Sequence, residues 1–185
     1  MNHTPDSLKT ARKNLLAFTL IELLVVIAII AILASLLMPA ANSAINSAKK
    51  TTAKNQAVQI ATAITAYETE YGRLPSDQTY SSVNAALVNM LCTTNDTANN
   101  PRGLIFLEAN IWKNGKGGTN ANGFCDPFAS TNVYHISLDT NYSNIQTGVA
   151  LGGGFGTTNL TKHIMVWSTP IPPGTKTNVL INSWD

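Results

Sequence analysis

The chain has 185 residues, 12 Lys and Arg against 10 Asp and Glu, and only 12% charged side chains, about half the usual share of a soluble domain. That balance excludes a strongly basic nucleic-acid binder and an acidic disordered tail. A mean hydropathy of +0.05 averages two materials: an apolar N-terminal stretch and a distal part whose polarity comes from many of the 20 Asn and 22 Thr.

Residues 1–17 are polar and basic, with Lys9, Arg12 and Lys13 close together. From Phe18 to Met38 the only charge is Glu22. At 1.5 Å per residue these 21 residues make a helix about 31 Å long, which matches the hydrocarbon core of a bilayer. A signal peptide has a shorter apolar region of about 7–15 residues, so cleavage after Ala34 or Ala41 is the weaker reading. The basic leader favours an N-terminus in the cytoplasm and an exported remainder.

Glu22 breaks the apolar pattern, at a cost of up to about 2.5–3.5 kcal/mol at the bilayer centre and less near an end. Two readings offset that cost. The carboxylate snorkels to the headgroups, or it meets a cation when helices assemble side by side. Pro39 closes the span and removes the amide that would bond the Ser35 carbonyl, which predicts a kink or local melting at the membrane exit.

The run from Ala17 through Phe18, Thr19 and Glu22 to Ala34 resembles the N-terminal signature of type IV prepilins and type II secretion pseudopilins. The resemblance implies that a prepilin peptidase cuts between Ala17 and Phe18 and methylates the new amine of Phe18. It also implies that Glu22 serves methylation or assembly and that the apolar helices bundle as a filament core. The exposed amine of Phe18 then supplies a cation for Glu22 of a neighbouring subunit. Ala17 departs from the family, which usually has Gly before the cut.

Beyond Pro39, Ala41, Ile45, Ala48, Ala57, Ile60, Ile64, Tyr67 and Tyr71 recur at steps of three and four, the face of an amphipathic helix. Asn46, Lys50, Lys54, Gln56, Gln59 and Thr62 form the other face. Gly72 offers a left-handed cap and Pro75 a stop. One helix from Phe18 to about Tyr71 is expected, its first half in lipid and its second half the spine of a head. A short helix is predicted within Tyr80–Cys92, loops over 93–101 and 115–123, and an apolar run over 102–108. Strands are predicted near Val133–Leu138, His163–Ser168 and Val179–Trp184.

The expected fold is therefore α+β and pilin-like, with a long N-terminal helix packed on a small antiparallel sheet. Its parts are a cytoplasmic leader (1–17), an assembly helix (18–39), the helical spine (40–72) and a globular head (73–185). The segments Tyr67–Pro75, Asp126–Phe128, Val166–Ser168 and Ser183–Asp185 are similar to segments of the major pseudopilin of type II secretion systems. In that family a loop between the last strands commonly binds calcium. Here residues 168–178 contain no Asp or Glu, and Lys176 repels a cation, so no calcium site and no other cofactor is expected.

His3, His135 and His163 lack metal spacing, and no nucleophile, P-loop or dinucleotide motif is present. Gly152–Gly156 reads as a flexible loop and no enzyme activity is expected. Cys92 and Cys125, the only cysteines, are a candidate disulfide in an exported domain, with two free thiols as the alternative. After removal of residues 1–17 the chain holds nine residues of each charge, a neutrality that suits a homopolymer.

These features together predict a structural subunit of a periplasmic type II secretion pseudopilus, held first in the inner membrane with its head in the periplasm. The partners implied by resemblance are copies of itself, the prepilin peptidase, the inner-membrane assembly platform and minor pseudopilins; no nucleic acid is expected. The alternatives are a type IV pilus pilin or minor pilin, and an uncleaved membrane-anchored binding or adhesive module.

Overall fold

A computed structural model describes residues 18–75 and 80–184. The expected leader, Ala17 included, lies outside the described residues. The chain divides into two compact units, Met1–Asn42 and Ser43–Asp185, and helix α1 (Leu20–Tyr71, 52 residues) contributes to both. The expected long helix thus forms, starting two residues later than Phe18. It ends as its residues predict: Gly72 adopts φ 65° and its N–H donates to the Glu68 carbonyl at 2.8 Å, a left-handed conformation that costs glycine little.

In the second unit α1 buries Ala53, Ala57, Ile60, Ala63, Ile64 and Tyr67, spaced by three and four residues so that all lie on one face. Full burial of a side chain such as Ile60 or Ile64 stabilises the head by about 1.5–3 kcal/mol. The buried stripe starts later than the periodicity suggested. Ala41, Ile45 and Ala48 are exposed, because the head's core begins at Ala53.

Strand β1 (Tyr80–Ser82) and helix α2 (Ala85–Cys92) occupy the region read as one short helix. The boundary is set by Asn84, whose side chain accepts from the Leu87 N–H at 3.1 Å. An N-cap there leaves the preceding residues extended, and they pair with Ser137, Ile136 and His135. The segment read as a second loop, 115–123, instead forms most of a hairpin of β2 (Gly118–Asn120) and β3 (Gly123–Cys125) that runs two residues past it. Gly123 has φ 133°, and a Cβ there would stand 2.1 Å from the Val83 carbonyl oxygen. Only glycine lets this hairpin lie against the link between β1 and α2.

The main sheet is completed by β4 (His135–Leu138), β7 (Ile164–Ser168) and β8 (Ile181–Asn182), which are the three strands expected from sequence. Its order is β1-β4-β7-β8 and every pairing is antiparallel. Alternation along β7 covers both faces: Val166 joins the core of α1, while Met165 and Trp167 join a second cluster with Val149 and Leu151. That second cluster is supplied by a hairpin of β5 (Gln146–Ala150) and β6 (Thr157–Leu160), anchored by a bond from Trp167 Nε1 to the Leu151 carbonyl at 2.8 Å. Gly152–Gly156, read as a flexible loop, is the turn of this hairpin. The α+β architecture, one long N-terminal helix packed on small antiparallel sheets, is the expected one.

The Asn-rich loop before Pro101 is organised by one side chain. Asn100 is fully buried; its Nδ2 donates to the carbonyls of Met90, Thr93 and Leu104. Its Oδ1 accepts from the Tyr71 hydroxyl at 2.6 Å and from the Leu104 N–H at 3.1 Å. One amide thereby satisfies the end of α2, the loop and the end of α1.

Candidate functional site

The segment most distinctive chemically is the start of α1. Phe18 and Thr19 precede the helix, and Thr19 Oγ1 stands 3.3 Å from the Glu22 N–H as its acceptor. In return Glu22 Oε2 accepts from the Thr19 N–H at 2.8 Å and from the Thr19 hydroxyl at 2.7 Å. This is a reciprocal capping box, which satisfies otherwise unpaired donors of the first helical turn. Sequence reading fixed on the cost of Glu22 and passed over Thr19, although Thr-x-x-Glu ahead of an apolar run is the recognised spacing.

The two oxygens of Glu22 are unequally used. Oε2 takes both bonds from Thr19, and a carboxylate can accept about four, so the box leaves capacity for a cation. The Phe18 amine created by the expected cut would lie one residue before the cap. Ala17 itself is outside the described residues.

Every described residue from Phe18 to Ile45 is exposed. Leu20, Ile21, Ile30, Ile32 and Leu36 are among the apolar side chains left uncovered. Exposed apolar surface on this scale marks an interaction or membrane surface. By length and composition this part of α1 can cross a bilayer, and none of its apolar window is buried. The helix runs through Pro39 without a break. Pro39 has no N–H to give the Ser35 carbonyl, and the Ser35 hydroxyl turns back to the Ile32 carbonyl at 2.7 Å.

Residues 12–38 match the family model described as the prokaryotic N-terminal methylation motif. This is the signature of type IV prepilin-like proteins. It implies processing by a prepilin peptidase and polymerisation into a filament, and with the long apolar helix it implies membrane anchoring. Proteins bearing the prepilin-like signature are structural rather than catalytic. No curated protein and no solved structure matches the chain.

In the head the other candidates separate. Of the two states open to Cys92 and Cys125, the structure has them as separate free thiols. Cys125 Sγ lies 3.1 Å from the Ser130 carbonyl, and Cys92, at the end of α2, packs on the main core. Burial pushes the Cys92 thiol up to about 11, so the reactive thiolate is scarce at neutral pH. Peptide mapping without reductant is expected to recover the two as separate thiols, with the fully buried Cys125 alkylated only after unfolding; a Cys92–Cys125 peptide would contradict this.

The two histidines of the head sit at opposite ends of the β4–β7 pair. His135 is opposite Trp167, their rings 5.6 Å apart, and burial lowers its pKa from the ordinary histidine value. His163 Nε2 is 2.9 Å from Glu68 Oε1 on α1, and its Nδ1 is 3.6 Å from Asp139 Oδ2. It ties the sheet to the helix through two carboxylates. Asp126, in the segment similar to major pseudopilins, is buried; its carboxylate accepts from the Phe128 and Ala129 N–H groups and from the Ser168 hydroxyl. Burial pushes its pKa up, and those bonds oppose the shift. These are packing roles, and they leave the N-terminal helix as the functional element.

Proposed function

We propose that the chain is a structural subunit of a type II secretion pseudopilus. The observation that supports it is the exposed apolar half of α1 opening on a capped Glu22, within the prepilin-like motif. In this reading the peptidase cuts between Ala17 and Phe18, and Phe18 is methylated. The subunit waits in the inner membrane with its N-terminus cytoplasmic and its head periplasmic. An assembly platform then draws it into the filament, where apolar helices bundle and exclude water. The amine of Phe18 meets Glu22 of a neighbour, and in a low-dielectric bundle a register shift strands both charges. Pro39 eases the bend of the helix as it passes from lipid to filament.

The finer choice of secretion pseudopilus over surface pilus is supported by the head's similarity to major pseudopilins at Tyr67–Pro75 and Asp126–Phe128. The loop between β7 and β8 lacks carboxylates, so the head is proposed to fold without calcium. Intact-mass and N-terminal peptide mass spectrometry on native membranes tests the processing. The expected result is a chain beginning at Phe18 with one added methyl. A chain retaining Met1 to Ala17 would overturn it and favour an uncleaved anchored module. Loss of secretion without loss of surface filaments, on deletion of the protein, would identify the pseudopilus; the reverse would identify a type IV pilus.

A further inference from the structure

The capping box of Thr19 and Glu22 decides where α1 begins. In a longer helix the Glu22 N–H would bond the Phe18 carbonyl; here its acceptor is Thr19 Oγ1 at 3.3 Å. The Thr19 N–H would reach back to the carbonyl of residue 15; here it donates to Glu22 Oε2 at 2.8 Å. The backbone ladder opens with the Leu23 N–H on the Thr19 carbonyl at 3.3 Å. Two of the bonds that would carry the helix back across Phe18 are thus taken by side chains, and Phe18 and Thr19 lie outside it.

Composition alone would not stop the helix there. Residues 11–18 contain no Gly and no Pro, and Ala11, Arg12, Lys13, Leu15, Leu16 and Ala17 are all strong helix formers. No breaker marks the boundary at Leu20. It depends on the box.

We propose that the box keeps the Ala17–Phe18 bond out of the helix, which makes Thr19 a positioning residue for the peptidase cut. The proposal rests on the reading of the chain as a processed prepilin-like subunit. The cut is a hydrolysis: water adds to the Ala17 carbonyl carbon, the bond to the Phe18 nitrogen breaks, and a carboxylate on Ala17 and an amine on Phe18 result. In a continued helix that carbonyl would accept from the N–H four residues on, with the adjoining turns around it. Attack requires the bond unwound. Helical turns wind and unwind within about a microsecond, and when such opening is fast beside cleavage the rate follows the population of the open form. The cap sets that population. Glu22→Ala keeps the Thr19 hydroxyl on the backbone N–H of residue 22, so this variant is still cut.

Pulse-labelled full chain is chased in its native host, and precursor and mature forms, which differ by residues 1–17, are resolved by mass. Alkaline extraction confirms that each variant is inserted in the membrane. Thr19→Val keeps the shape of the side chain and loses the cap, whereas Thr19→Asn changes the shape and keeps a cap. Thr19→Val is expected to be cut about two- to fivefold more slowly than the native chain, with Thr19→Asn and Thr19→Ser near the native rate. Ala17→Gly disfavours helix by about as much as the cap does. It should restore Thr19→Val to near the native rate and change the native chain little. Native-rate cutting of Thr19→Val would overturn the proposal. Thr19→Asn as slow as Thr19→Val, or no rescue by Ala17→Gly, would overturn it too, in favour of a direct contact between Thr19 and the peptidase. A native chain left uncut would fail the processing reading instead, and is recognised before any variant is compared.

Discussion

Glu22→Ala is expected to enter the membrane and to be cut before Phe18, yet to be incorporated into filaments at least about tenfold less than the native chain. Removing one partner of a buried ion pair costs about 3–5 kcal/mol and leaves the other charge unpaired. The structure adds a second role for the same carboxylate, because it also closes the box with Thr19. Thr19→Ala separates the two. It removes the capping hydroxyl at a cost of about 1 kcal/mol and keeps the carboxylate, so incorporation should fall only mildly. Quantifying sheared filaments beside the processed membrane pool checks both variants. Normal incorporation of Glu22→Ala would sink the register role, and an equal loss in Thr19→Ala would assign the effect to the cap.

The second large effect is expected in the head. Asn100→Ala strips partners from three carbonyls, one N–H and the Tyr71 hydroxyl at a site with no exposure. Each buried group left unsatisfied costs about 1–3 kcal/mol, and the groups are coupled, so a loss of about 3–5 kcal/mol is the expected total. Tyr71→Phe loses one bond of the same set and should cost about 1 kcal/mol. Thermal melts of the detergent-solubilised chain, followed by circular dichroism, should show Asn100→Ala falling by about 10 °C or more and Tyr71→Phe by a few degrees. Equal shifts for the two would deny Asn100 its central place.

The parts of the fold that were legible are those written in apolar periodicity. Ile60, Ile64 and Tyr67 announce a helix face, and the residues of β4 and β7 carry enough apolar and aromatic side chains to announce strands. The β5–β6 hairpin was not legible. Gln146-Thr147-Gly148-Val149-Ala150 buries only its first and fourth residues, and β6 has no buried residue, so neither shows the alternation of a half-buried strand. Trp167, reaching across to Leu151, supplies what the local pattern lacks.

The membrane-like segment was legible because composition alone defines it, whereas its cap was a matter of two polar residues overlooked beside many apolar ones. Tyr80–Ser82 was drawn into a helix for the opposite reason. A continuous run from Tyr80 satisfies helical spacing at Val83, Leu87, Met90 and Leu91, and only the Asn84 cap divides it. Asn100 carried no sequence signal, since its importance comes from three separate elements meeting around one amide.

Because α1 alone is covalently continuous between the two compact units, it is also the line along which mechanical load travels. A pull that removes the apolar segment from lipid acts along the helix axis and reaches the head as shear on Ala53, Ala57, Ile60 and Ile64, where many contacts share it. Along the axis itself the hydrogen-bonded turns bear the tension in series, and the turn joining Ser35 to Pro39 is short of one bond. Among those turns it is the one with the fewest bonds to resist such a pull.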